Sequence, residues 1–291
     1  WKDRPDMPRG KVEVHPLEYA GESATDKLVR VRRELRRQHA DGLLVAALDD
    51  IAWTLNLRGS DVHCTPVFVA YLLISAGKTT LFTDSRKLTP AVEAYLKKIG
   101  VQTREYGEVV SALARYPDYN IMIDPDEVSH TLAKAVRCPH VVWGHSPIPV
   151  MKAVKNEVEI RGYRSAMLKD GIAMVKFLHW LVPAVRKGGE TEMTVADKLN
   201  ALRAEQPLFR DISFDTIAAY EAHGAIVHYE PTPSSASALR PEGLLLLDSG
   251  AQYVDGTTDI TRTIALGPVS EEQKRAYTLV LKAHIQMEIA K

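Results

Sequence analysis

The stretch Leu244-Leu-Leu-Leu-Asp-Ser-Gly-Ala-Gln-Tyr-Val-Asp-Gly-Thr-Thr-Asp-Ile-Thr-Arg-Thr263 decides how the second half of the chain is read. Four consecutive leucines predict a buried strand, and Asp248 closes it where a carboxylate without a partner is costly. Asp259 follows eleven residues later, in a Thr/Ile run that reads as another strand. Asp-Ser-Gly and Asp-Gly are ordinary turn signals, but two carboxylates converging at the edge of a core also suit a pair of divalent ions. Geometry separates the two readings. A two-residue hairpin turn at Asp255-Gly256 would set Gln252 opposite Asp259. Asp248 would then lie on the order of 13 Å away, at ~3.3 Å per residue. A metal site therefore calls for a bulge or wider loop that shifts the register, expected around Gly250, Gly256, Thr257 and Thr258.

Outward from this stretch, a length of 291 residues predicts two domains. The 45% hydrophobic and 25% charged content is that of a globular protein with a core. Lys+Arg and Asp+Glu both number 37, a balance that gives no support to nucleic acid or an anionic membrane as partner. The arginines at 30, 32, 33, 36 and 37 read as the solvated face of an amphipathic helix whose apolar positions include Leu28, Val31 and Leu35. Two cysteines, Cys64 and Cys138, lack CxxC spacing, so a disulfide framework or zinc ribbon is not expected and a reducing, cytoplasmic location is. No apolar run reaches the ~18–20 residues of a membrane span, and the Pro-punctuated N-terminus has no signal-peptide pattern.

The first half alternates strand and helix signals. A helix opens at Ser23 with Asp26 three residues on, and others are expected over 49–55, 88–99 and 129–136. Strands are expected over 42–47, 67–75, 79–83, 101–106, 120–123 and 140–143, which together indicate an α/β layer domain. Ser146-Pro147-Ile148-Pro149 breaks the pattern, so the domains are drawn as 1–152 and 153–291. The second, of α+β character, opens with helices over 156–185 and 191–205. Strands at 212–220, 225–229, 244–253 and 258–265 follow, and then a helix from Ser270.

His228 sits in the expected strand at 225–229, as a hydrogen-bonded structural residue or as a proton donor and acceptor beside a metal-bound water. Arg58 and Asp61 are expected to form a surface ion pair. Ser249 follows Asp248, but there is no Gly-x-Ser-x-Gly elbow for a serine hydrolase and no Gly-rich phosphate loop.

Taken together, several segments resemble the Xaa-Pro aminopeptidases (aminopeptidase P) of the long three-domain cytosolic type. They are Trp1-Lys-Asp-Arg-Pro5, the run 47–61, Lys155-Asn-Glu-Val-Glu159, Ser213-Phe-Asp-Thr-Ile217, Gly224-Ala-Ile-Val-His-Tyr229 and the run 248–263. The resemblance implies a creatinase-like α/β domain followed by the N-terminal half of a pita-bread metallopeptidase domain. It implies two divalent ions, commonly manganese, held by two Asp, one His and two Glu. Asp248 and Asp259 match the two Asp. His228 matches the histidine that helps to bind substrate and stabilise the tetrahedral intermediate. The reaction implied is release of an N-terminal amino acid from a peptide with proline second, by water whose pKa the metals lower. The family's His ligand and both Glu ligands lie downstream of Asp259 and are absent here, since Glu271, Glu272, His284 and Glu288 fall in the helix between. The chain alone is therefore expected to be inactive and prone to self-association, and the full-length protein to be a homodimer. A non-catalytic peptide- or protein-binding homologue and a prolidase-like dipeptidase are the alternatives. Methionine aminopeptidases lack the preceding α/β domain, and creatinase works without the metals.

Overall fold

The computed structural model describes residues 2–290. The chain divides into two compact units between Gly162 and Tyr163, within the helix Glu157–Lys187.

The first unit is built on a six-stranded mixed sheet in the order Val101–Arg104, Thr79–Phe82, Tyr71–Ile74, Leu43–Val45, Asn120–Ile123, His140–Trp143. Tyr71–Ile74 runs antiparallel to both its neighbours, while the other pairings are parallel. Its central strands are short, nearly all-apolar runs, as strands covered on both faces must be. Alternate residues serve opposite layers. Leu43, Val45, Leu72, Ile74, Leu81 and Met122 pack with the helices Ala24–Arg37, Leu48–Leu55 and Pro90–Lys98. Leu44, Leu73, Phe82, Ile121 and Ile123 pack with Val109–Ala114 and His130–Ala135. Helix starts follow the local chemistry: the hydroxyls of Ser23, Thr89 and Ser129 each accept the backbone N–H three residues on. Asp61 is not in a surface pair. Its buried carboxylate meets the buried Lys87 ammonium and accepts the Val69 N–H at 2.7 Å.

Lys27 is a buried cation in this unit. Its ammonium donates to the Trp53 carbonyl (3.0 Å) and the Asn56 side-chain oxygen (2.8 Å), and lies 4.1 Å from the Trp53 ring centre. Burial lowers its pKa to about 8. Between this value and the ordinary 10.5 the unfolded chain holds the proton that the folded chain has released, so the Lys27 contribution to stability climbs with pH. The gain across that window is on the order of 3 kcal/mol. Urea midpoints measured at pH 7.5 and pH 10 should show the rise, and Lys27→Met should flatten it.

In the second unit the helix Glu157–Lys187 presents Ala173, Met174, Phe177, Leu181 and Val185 along one stripe to a core completed by Val195, Leu199 and Leu202 of the helix Glu192–Ala204. Two three-stranded sheets complete the unit. One orders Ile217–Tyr220, Leu244–Ser249, Ile260–Ala265; the other orders Gly256–Thr257, Ala251–Tyr253, Phe209–Ile212. The strand expected over 212–220 is thus two strands in different sheets. The strand expected over 225–229 is absent, because a 3₁₀ turn (Glu221–Ala225) runs into an exposed loop. The four leucines also divide by period two. Leu245 and Leu247 enter the core, while Leu244 and Leu246 share the other, half-buried face with Asp248. At Gly250 the chain passes from one sheet to the other. A Cβ there would lie 2.0 Å from the Thr258 carbonyl oxygen and 2.2 Å from the Ser213 hydroxyl, so the crossing requires glycine.

Candidate metal centre

The hairpin that carries the two aspartates turns one residue earlier than the Asp-Gly signal suggests. Tyr253 pairs with Gly256 and Gln252 with Thr257, so Val254 and Asp255 form the loop. An Asp-Gly type I′ turn needs positive φ at both central residues, and neither Asp255 nor Gly256 adopts it. The shift moves the pairing by two residues. Farther down, Ser249 pairs with Ile260 and Asp248 with Thr261, in the same register as at the turn. No extra residue is inserted between the two arms, and the anticipated bulge is not needed. The one register shift lies elsewhere, where Gln252 and Tyr253 pair with Phe209–Ile212.

Continued through the gap, this register sets Asp259 opposite Gly250, so Asp248 and Asp259 are diagonal neighbours on one sheet face. Around the gap side chains reinforce a backbone bond from the Thr258 N–H to the Ala251 carbonyl (2.9 Å). The Thr258 hydroxyl accepts the Ala251 N–H (2.9 Å), and the Ser213 hydroxyl donates to the Thr258 carbonyl (2.9 Å). That frees Asp259 to turn toward Asp248. Burial first, then the charge of Asp248 and a hydrogen bond with it, raise the Asp259 pKa. One oxygen of Asp248 is buried and has no hydrogen-bond partner. Two carboxylates in contact, one with an orphaned oxygen, form a donor set that suits a hard divalent cation, which would supply the charge each lacks.

Two networks beneath this face are not among the sequence expectations. Asp170 and Arg203, both fully buried, pair through two hydrogen bonds of 2.7 and 2.9 Å, and Asp170 also accepts the Tyr253 hydroxyl at 3.1 Å. Lys169, next along the helix, meets Asp255 of the turn at 2.5 Å and lies over the Tyr253 ring. On the sequence these pass for ordinary helix charges, although 169 and 170 fall four residues before Ala173 and Met174 and so lie on the stripe that the helix buries. The second network centres on Glu192, at a helix start that reads as ordinary capping.

His228 stands apart from the aspartate pair in kind. It occupies an exposed turn with left-handed backbone (φ 58°). The strand Ile217–Tyr220 leaves the sheet at the Leu245 end, away from Asp248, and the His228 loop begins there. The structure thus brings the two aspartates together and carries the histidine on a separate, anchored loop.

Comparison with known proteins agrees with this architecture. Residues 3–159 match the creatinase/prolidase N-terminal domain model, and residues 161–290 match metallopeptidase family M24. Aminopeptidase P1 of Arabidopsis thaliana is 35% identical over 99% of this chain and 52% of its own length. A probable Xaa-Pro aminopeptidase P of Aspergillus clavatus is 40% identical over 99% of this chain and 46% of its own. The crystal structure of an X-prolyl aminopeptidase from Caenorhabditis elegans, described as a cytosolic enzyme with a di-nuclear active site, superimposes with a TM-score of 0.88 at 32% identity, over 94% of this chain and 46% of that one. An Xaa-Pro dipeptidase from Bacillus anthracis shares the fold at 22% identity (TM-score 0.70). The chain spans about half the length of the curated relatives it matches.

Proposed function

The chain belongs to the family that joins a creatinase/prolidase N-terminal domain to an M24 metallopeptidase domain, and on that premise we propose that it forms part of an Xaa-Pro aminopeptidase. The reaction is removal of the N-terminal residue from peptides with proline in second place. The observation that carries this reading is the Asp248–Asp259 contact, with its orphaned buried oxygen, inside the M24 segment. Asp248 and Asp259 would hold divalent ions, manganese being the first choice. When bound, such ions supply an activated water at neutral pH and charge stabilisation for the developing oxyanion.

The chain's own residues prepare that site. The sheet fixes Asp248, the hairpin register brings Asp259 to it, and Gly250 lets the two sheets cross without moving either. His228 presents an imidazole, the side chain best suited to exchange a proton with, or donate a hydrogen bond to, the peptide at the cleaved bond. A cytoplasmic location, by likeness to the cytosolic enzyme above, and a homodimeric full-length protein are part of the same proposal.

Release of the first residue from an Xaa-Pro-Pro peptide, with added Mn²⁺ and the intact protein that carries this chain, tests the reading. Chelator-sensitive release that requires proline in second place is the expected result. Chelator-insensitive hydrolysis, or equal cleavage of peptides without proline, would refute it. His228→Ala should lower kcat by about 10²–10⁴, the range typical of a lost acid–base group, with cation binding unchanged by calorimetry.

A further inference from the structure

We infer that Glu192 is a positioning residue that clamps both ends of the loop presenting His228. Its carboxylate is wholly buried and takes four donors. The Tyr220 N–H reaches one oxygen at 2.7 Å. The Ser237 N–H (2.7 Å) and the Tyr229 hydroxyl (2.9 Å) reach the other. His223 Nδ1 lies 2.9 and 3.1 Å from the two oxygens, which makes it the protonated ring nitrogen. A carboxylate has about four lone-pair sites, so this one is saturated.

The partners are placed in a telling order along the chain. Tyr220 and His223 precede the exposed tip Ile226-Val227-His228, while Tyr229 and Ser237 follow it. The His223 and Tyr229 rings stack with centres 4.4 Å apart and close the base of the loop. Between these fixed ends the chain must reverse within a few residues, and His228 is held in a left-handed conformation that an L-residue keeps only when its surroundings impose it. Ile226 and Val227 are left 53% and 81% exposed at the tip. One carboxylate therefore sets where the imidazole stands, although it is on a different element and has no direct contact with it. The link to catalysis rests on the proposed role of His228; the clamp itself does not.

The test pairs Glu192→Gln, which keeps the shape but removes the charge that strengthens these bonds, with Tyr229→Phe, which deletes one of the four. Loss of charge-assisted bonds predicts a rise of about tenfold or more in amide exchange over 221–238 for Glu192→Gln. A smaller rise is expected for Tyr229→Phe, with exchange over 244–265 unchanged in both. Exchange unchanged in the loop, or raised equally throughout the unit, would overturn the clamp. In the intact protein, Glu192→Gln should lower kcat at least about tenfold with KM within twofold. An unaltered kcat would sever the clamp from catalysis. If the parent protein cleaves no Xaa-Pro peptide, the peptidase reading fails, and the exchange result alone decides the clamp.

Discussion

Asp248→Asn should abolish divalent-cation binding at the aspartate pair while leaving the cation-free chain at least as stable as the parent. Most substitutions at half-buried positions destabilise, so this combination of signs is diagnostic. Two carboxylates in contact repel when both are ionised, and here one oxygen of Asp248 receives no donor to offset its burial. An amide at 248 removes the repulsion and can donate to Asp259. If Asp248 were instead a turn residue capping its own backbone, the same change would cost stability and leave any cation effect intact. In the parent chain, Mn²⁺ at a hundred times its dissociation constant should add about 2.7 kcal/mol to the unfolding free energy, and Asp248→Asn should reduce this to nothing. The effect also has a pH sign. The raised pKa of Asp259 means that the folded, cation-free chain holds its proton more tightly than the unfolded chain. That contribution to stability is present at low pH and is lost as pH rises through the raised pKa. Proton and cation compete for the same oxygens, so Mn²⁺ stabilisation should fade as pH drops toward that pKa. Thermal unfolding with and without Mn²⁺, at pH 5 and pH 7.5, reads both effects. A destabilised Asp248→Asn chain that still responds to Mn²⁺ would contradict the metal assignment.

The sequence made the layer architecture legible because its strands and helices carry their own periodicity. Asn120–Ile123 and His140–Trp143 each open on one polar residue followed by three apolar ones, and each occupies the expected positions. The long helix from Glu157 likewise follows its pattern. What failed was local geometry that a tertiary contact overrides. Gly224-Ala-Ile-Val-His-Tyr229 has the apolar content of a strand, yet Glu192 draws Tyr220, His223 and Tyr229 onto a single carboxylate and folds the segment into a loop. Asp255-Gly256 has the composition of a type I′ turn. Lys169, 86 positions earlier, meets Asp255, and the loop is Val254-Asp255, one residue earlier than the Asp-Gly pair. The aspartate pair could be named from the sequence, but its meeting could not, because that depends on a register chosen by residues outside the hairpin.

That dependence makes Asp170→Leu the most destructive single change expected in the second unit. Asp170 is the only carboxylate that pairs with Arg203 among the hydrogen bonds of the described residues, and both side chains are wholly buried. Stripping one partner from a buried ion pair costs about 3–5 kcal/mol, because the remaining charge is stranded. The Tyr253 hydroxyl loses its acceptor as well, at about 1–3 kcal/mol. Against a total stability of about 5–15 kcal/mol, the unit should be largely destabilised. Replacing both ions, as in Asp170→Leu with Arg203→Met, should restore most of the loss, since an apolar pair of similar volume is often neutral or better. The double variant then separates folding from function. It keeps the core filled but no longer ties Tyr253 to the helix, which leaves the turn to Lys169–Asp255, the Val254 N–H bond to the Leu208 carbonyl (2.9 Å) and the strand pairing. A hairpin free to adopt the Asp-Gly turn would slide by two residues and part Asp259 from Asp248. Urea unfolding should therefore rank Asp170→Leu well below the double variant, and the double variant should still bind Mn²⁺ more weakly than the parent. Equal stability of the single and double variants would show that the pair's charge is not what matters. Parental Mn²⁺ affinity in the double variant would show that the register is set without Asp170, by Lys169 and the strand pairing alone.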